Sequence, residues 1–286
     1  MDIALASSAP DHAGDTDLPQ LIAAAEALGH RAEIAIWDDP GVDWKSFDVV
    51  AIRSCWDYTT RRDEFVAWCR TVGDRLVNNP DIIEWNSDKT YLQQLADNGV
   101  NIIPTMWDVS TRAELGTHRS WVVKPTISSG SANTAHWTTA EAALVHAAEL
   151  RAAGHHTMTQ PYVASIDEIG EFANYFFGGE HSHSVRKPPL LTADEIPESG
   201  ATFPGGLSAV DVDASVIAFA REVNATAERI TGHTLVQSRV DVILDETGAP
   251  MLMELELVEP ALFLTYAPGA ASDYVEAITR SGLTSR

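Results

Sequence analysis

Val49, Val50, Ala51 and Ile52, four apolar residues in a row at the end of residues 47–52, restrict the fold more than any other feature of this chain. A strand with one wet face alternates apolar and polar residues, so a short unbroken apolar run marks a strand covered on both faces, as in a parallel sheet flanked by helices. The preceding residues agree. Residues 2–6 are a short apolar run, and residues 32–37 read as a second strand. Between them, residues 18–28 carry apolar side chains at helical spacing, with Pro19 near the start and Gly29 just past the end. The order predicts a parallel α/β lobe. In an open sheet of this kind ligands lie beyond the carboxyl ends of the strands, which makes the loop Arg53, Ser54, Cys55, Trp56, Asp57 and Tyr58 a candidate substrate wall.

After residue 86 the pattern becomes α+β. Ser87 as N-cap and Gly99 as stop predict a helix over 87–98. Residues 121–125 and 132–137 read as antiparallel strands joined by a Ser/Gly loop, and a helix is expected over 140–153. Strands follow at 157–163, 171–177 and 182–186, then a helix at 213–230. The last unit is a hairpin with arms 235–244 and 250–257, turning through Asp245, Glu246, Thr247 and Gly248.

Composition removes several function classes. Nineteen Lys and Arg against 41 Asp and Glu give a net charge of -22, a field that repels nucleic acid and acidic membranes. No run approaches the about eighteen apolar residues of a membrane span and no secretory leader opens the chain, so a cytoplasmic location is expected. Cys55 and Cys69 form no CxxC pair and are read as reduced, buried thiols. P-loop, dinucleotide, zincin and serine-hydrolase motifs are absent. His155 with His156, and His181 with His183, lack a third ligand at zinc spacing.

Chemistry concentrates in four elements. On the hairpin, Arg239 and Asp241 are two apart and so share a face, as do Glu254 and Glu256 on the other arm. Counting across the turn brings the three carboxylates and the guanidinium onto one patch. Like charges in a half-buried patch repel, and hard oxygen donors without His or Cys favour Mg²⁺ or Mn²⁺ shared with phosphates. The plain alternative is a solvated acidic face. The second element is Lys124 in WVVKPTISSGSAN, where an ammonium and a loop of backbone N–H groups can meet phosphate oxygens; the alternative is a snorkelling strand-end lysine. The third is Lys89, expected in the first turn of the helix begun by Ser87, and the fourth is the strand end TQPYV running into Asp167, Glu168 and Glu171.

In this order, NSDK, VVKP, a Ser/Gly loop, QPYV, RVDV and ELEL resemble the ATP-grasp ligases over nearly the whole chain. The resemblance implies an ATP-grasp fold: an N-terminal α/β domain at 1–85, a central subdomain at 86–165 and a C-terminal subdomain at 166–286, the last two clasping ATP. It implies that Lys89 and Lys124 contact the nucleotide phosphates and that Ser128, Ser129, Gly130 and Ser131 close over them. Gln160, Pro161, Tyr162 and Val163 would hold adenine, with Glu168 or Glu171 on ribose. Asp241, Glu254 and Glu256 would carry Mg²⁺, and Arg239 and Lys124 would face the reacting groups. Many members carry Asn where this chain has Glu256.

Within the superfamily, RSCWDY, GGEHSHSVRKPP and ELEL with EPALFL are similar to the O-ureido-D-serine cyclo-ligase family and to prokaryotic glutathione-synthetase-like proteins. This implies closure of O-ureido-D-serine to D-cycloserine, with Arg53, Trp56, Asp57, Tyr58, Arg186 and Lys187 on the substrate cleft. An intermolecular carboxylate-amine ligase is the enzymatic alternative, and a non-catalytic nucleotide-binding module is the alternative from another class. The expected partners are ATP, Mg²⁺ and a small amino-acid-like substrate. No nucleic acid or membrane is expected, and a homo-oligomer is left open.

Overall fold

In the computed structural model, which describes residues 1–196 and 206–284, the apolar run of residues 49–52 lies at the edge of a parallel sheet and is buried at every position. The strands are β1 (Asp2–Ser7), β2 (Arg31–Ile36) and β3 (Val49–Ile52), ordered β2-β1-β3 and parallel throughout. Between β1 and β2, α1 (Leu18–Ala27) has Pro19 in its first turn. It stops before Gly29, whose φ of +79° suits glycine. After β3, α2 (Arg62–Val72) turns Phe65 and Trp68 inward onto Trp37.

The helix expected over 87–98 is shorter, starting only at Tyr91, and a separate helix ends just before the expected range. α3 (Pro80–Asn86) starts at Asn79, whose side chain accepts from the Asp81 N–H, and Pro80 follows as a favourable first residue. Ser87 ends this helix instead of opening the next one. Its N–H bonds the Ile83 carbonyl, and its hydroxyl accepts from Arg62. The Lys89 N–H is taken by the Thr126 carbonyl at 2.9 Å, so Lys89 stands before α4 (Tyr91–Asp97), not in its first turn.

The next sheet is β4 (Met106–Trp107), β5 (Trp121–Pro125), β6 (Ala135–Trp137) and β7 (Thr157–Pro161), antiparallel in the order β4-β7-β5-β6 and covered by α5 (Ala140–Ala152). β6 is shorter than residues 132–137 because Ser131 and Asn133 take left-handed backbone angles (φ +57° and +55°) that belong to turns.

After α6 (Ser165–Ile169) come β8 (Glu171–Phe177), β9 (Glu180–Lys187), β10 (Ser208–Ala209), α7 (Ala214–Thr231), β11 (Gln237–Leu244), β12 (Pro250–Glu256) and α8 (Ala270–Thr284). The strands form an antiparallel sheet ordered β10-β9-β8-β11-β12. Strand alternation decides what each face meets. Phe176, Val240, Val242 and Leu252 pack with α4 and α7, while Ala173, Tyr175 and Phe177 turn the other way, into a core shared with α8, α1 and β1. Thus α8 ties the parallel lobe to the large sheet, and the charged residues of the final hairpin fall on the face directed toward that lobe. Among the described residues no helix is long and apolar enough to cross a membrane.

Candidate active site

The hairpin register sets the centre of the site. Arg239 lies opposite Glu256 and Asp241 opposite Glu254, with a bulge after Asp241, so all four point away from the α7 core. Their charges are already matched by the chain itself. The Arg239 guanidinium donates to Asp241 (Nη2–Oδ2 2.8 Å) and to Glu256, Lys187 donates to Asp241 (2.8 Å) and pairs with Glu171, and Lys89 pairs with Glu254 at 3.1 Å. Burial alone would raise the Asp241 carboxyl, but Arg239 and Lys187 hold it well below the usual carboxylate range. Burial, helped by the Asp241 charge, pushes Glu171 up to about 8 and Glu256 up to about 7.

The three-carboxylate set expected from the sequence is therefore not what reaches the cavity. Asp241 is 1% exposed, lies on neither cavity wall and is occupied by two cations. Among the described residues no group of three or more His, Cys, Asp or Glu side chains is disposed to hold a metal ion. Glu254 and Glu256 do stand on the cavity walls. Two carboxylates on one strand face fit a Mg²⁺ ion that takes its other ligands from phosphates and water, and do not fit a closed protein cage.

Two cavities meet at this hairpin. One, of about 190 Å³, is bounded by Lys89, Lys124, the 128–131 loop, Gln160, Pro161, Tyr162, Val163, Glu171 and Lys187, with Arg239, Glu254 and Glu256. Four of the chain's nineteen basic residues thus converge on one cleft in an acidic protein. Lys124, at the end of β5, is 6% exposed and its ammonium has no hydrogen bond or ion pair among the described residues; burial pushes the pKa of that ammonium down. Lys89 donates to the Ser128 carbonyl at 2.7 Å and so anchors the Ser/Gly loop, where Gly130 (φ +56°) and Ser131 turn the backbone left-handed. The Tyr162 N–H is already given to the Ser120 carbonyl at 3.1 Å, and the Tyr162 ring stacks on His136.

The other cavity, of about 590 Å³, shares Lys89, the loop, Arg239, Glu254 and Glu256, and extends to Trp56, Asp57, Tyr58, Glu259 and Phe263. The loop after β3 thus does face a cavity, except for Arg53. That side chain is 1% exposed and donates to the Pro260 carbonyl at 2.8 Å, with Asp17 3.9 Å away. It packs under the chain that follows β12 and has no surface for a substrate. Arg186 caps the carbonyls of Glu168 and Ile169 at the end of α6, Glu168 itself is exposed, and Lys187 faces the first cavity instead of the substrate side. Glu259 escaped the sequence reading. It stands three residues beyond Glu256, past the carboxyl end of a strand already singled out, and burial with the nearby Glu256 charge pushes it up to about 8. Substituting Arg53 by Met should lower unfolding free energy by about 3 kcal/mol, because buried Asp17 then loses its cation. A urea titration reads this; an unchanged midpoint with a raised KM for the carboxylate substrate would return Arg53 to the substrate wall.

Comparison with known proteins bears on this geometry. Residues 3–78 match the family model described as the N-terminal domain of D-cycloserine synthetase DcsG. The chain is 33% identical over 290 residues to cycloserine biosynthesis protein DcsG of Streptomyces lavendulae, covering 96% of this chain and 97% of that protein. It superposes on the crystal structure of D-cycloserine synthetase DcsG with a TM-score of 0.90 at 34% identity, over 98% of this chain and 100% of the other. D-alanine–D-alanine ligase from Bacillus anthracis shares the fold, with a TM-score of 0.71 at 12% identity over 99% and 98% of the two chains.

Proposed function

Because the chain belongs to the D-cycloserine synthetase DcsG family of ATP-grasp ligases, we propose that it closes O-ureido-D-serine to D-cycloserine at the expense of ATP. It is an ATP-dependent ligase. In this reading residues 1–85 form the substrate lobe, and 86–165 and 166–286 clasp the nucleotide between them.

The observation that carries the reading is Lys124, a buried ammonium without a partner among the described residues, aimed into the cleft that Lys89 and the Ser/Gly loop close. A desolvated cation is costly unless an anion meets it, and phosphate oxygens are that anion. Lys89 and Lys124 hold the phosphates, while the 128–131 loop offers backbone N–H groups and excludes water. Tyr162 and Val163 flank the adenine. With the Tyr162 N–H committed to Ser120, the Tyr162 carbonyl and the Val163 N–H are the groups left to read it. Glu254 and Glu256 would hold Mg²⁺, which supplies neutralisation of phosphate charge when bound.

The substrate carboxylate takes the γ-phosphoryl group of ATP, giving an acyl phosphate and ADP. The ureido nitrogen attached to oxygen then attacks the acyl carbon of the same molecule, phosphate leaves, and the five-membered ring closes. Hydrolytic loss of the carbamoyl group gives carbon dioxide and ammonia. Arg239 faces the charge that develops on the transferring phosphoryl group, and Asp241 fixes its guanidinium through three hydrogen bonds. Ring closure profits from the high effective concentration of a nucleophile in the same molecule. A cytoplasmic location and a small-molecule substrate as the only obligatory partner accompany this reading.

The test is the reaction without added amine. Purified protein with ATP, Mg²⁺ and O-ureido-D-serine should yield ADP, phosphate and cyclic product at matched stoichiometry. ADP formation only when a separate amine is supplied, with a linear amide as product, would replace this reading by the intermolecular ligase.

A further inference from the structure

We infer that Glu259 receives the α-ammonium group of the substrate and makes the enzyme select an amino acid over a plain carboxylic acid. The inference rests on the amino-acid substrate proposed above.

Position supplies the first argument. In an α-amino acid the ammonium stands next to the carboxylate, so its partner must lie beside the phosphoryl-transfer end of the cleft and not at the far wall. Glu259 is on the wall of the larger cavity and within electrostatic reach of Lys89, Glu254 and Glu256, which mark that end.

Elimination supplies the second. The other acids on this cavity are engaged: Glu254 by Lys89, Glu256 by Arg239, Asp57 by the Trp37 indole N–H at 3.0 Å with Arg61 at 3.5 Å, and Asp11 by the Ser8 hydroxyl. Glu259 forms no ion pair among the described residues. The Tyr58 hydroxyl stands beside its carboxyl group. Half-buried and without a cation, the Glu259 carboxyl is disfavoured in its charged form in the empty protein, and a substrate ammonium at the cavity wall favours that charged form.

The third argument is the fastening of the loop that bears it. Arg53 holds the Pro260 carbonyl, the Tyr175 hydroxyl donates to Ala261 O at 2.8 Å, and Asp17 accepts the N–H groups of Leu262 (2.7 Å), Phe263 (3.2 Å) and Leu264 (3.0 Å). Phe263 is held at φ +52°, a left-handed conformation that a bulky residue adopts only when its surroundings impose it. A buried arginine and a buried aspartate therefore fasten the backbone of the segment that follows Glu259.

The test compares O-ureido-D-serine with 3-(ureidooxy)propanoate, the same molecule without its amino group, on the parent enzyme and on Glu259→Gln, reading kcat/KM by ADP release. The parent should prefer the amino acid by roughly 10- to 100-fold or more, the range of one charge-assisted contact. Glu259→Gln should abolish most of that preference: kcat/KM for the amino acid falls by about that factor, the propanoate changes little, and KM for ATP is kept. Equal losses on both substrates, or preference retained, overturn the inference. Should Glu259→Gln not fold, Glu259→Asp and Glu259→Asn give the same comparison, with Asp keeping the preference and Asn losing it. Absence of any ADP from the parent enzyme with O-ureido-D-serine would instead overturn the substrate reading, and the inference with it.

Discussion

Replacing Glu254 by Gln should lower ligase turnover by roughly 10²- to 10³-fold with the fold intact, whereas replacing Asp241 by Asn should cost both turnover and stability. The difference follows from where the two carboxylates stand. Glu254 is at the cavity wall, a quarter of its side chain is exposed (25%), and its partner Lys89 keeps a second acceptor in the Ser128 carbonyl. Neutralising it leaves the buried Lys89 ammonium with the Ser128 carbonyl and hydroxyl as acceptors, a smaller cost than stranding two cations, so most of the loss falls on the metal and phosphates. Asp241 is the shared anion of Lys187 and Arg239, both buried with it. Its amide would leave Lys187 with Glu171 and Arg239 with Glu256 as their remaining anions, and burial still works against the charged form of both carboxyls. A destabilisation of about 3 kcal/mol is expected, which in a chain of this size moves the thermal midpoint by roughly 5 °C. Calorimetry alongside ADP release separates the two variants. An unchanged midpoint in Asp241→Asn, with turnover lost, would make Asp241 a metal ligand in the working enzyme instead of the anchor of Arg239.

The features legible in the sequence are those where one local rule acts alone. Val49 to Ile52 could be read as a two-sided strand because nothing else explains four apolar residues in succession. Counting from Asp245 and Gly248 across the short turn brings Arg239, Asp241, Glu254 and Glu256 to one face, while the bulge after Asp241, which decides between Leu252 and Glu254 as its partner, has no local signal. What could not be read are decisions between competing partners. Ser87 has a good N-cap side chain, but Asn79 followed by Pro80 starts a helix seven residues earlier and turns Ser87 into its end. Arg53 stands at the carboxyl end of a strand, where ligands bind, yet a carbonyl from Pro260, 207 residues away, claims it. Pairing of that sequence separation has no local signature. The same holds for Asp241, whose partner Lys187 comes from a strand two positions away in the sheet. Glu259 lacked a periodicity to betray it, since its place depends on Asp17 and Arg53 gripping the loop from another lobe.

Lys124→Met should change stability in opposite directions with and without nucleotide. In the empty protein the ammonium is desolvated and has no partner among the described residues, so an apolar side chain of similar length relieves a cost, and the variant should be more stable by on the order of 1 kcal/mol. With ATP present the sign reverses. A buried charge-assisted contact to phosphate is worth about 1.5–3 kcal/mol, which weakens ATP binding by roughly 10- to 150-fold when lost. At an ATP concentration near 100 times the parent's Kd, the parent gains about 2.7 kcal/mol from ligation, and a variant bound 100-fold more weakly gains only about 0.4 kcal/mol. Thermal shifts with and without Mg²⁺-ATP at that single concentration test both halves: the variant should melt above the parent when empty and below it when loaded. If the nucleotide shift were the same in both proteins, the Lys124 ammonium would not meet phosphate, and the cleft it lines would have to bind its anion through Lys89 and the Ser/Gly loop alone.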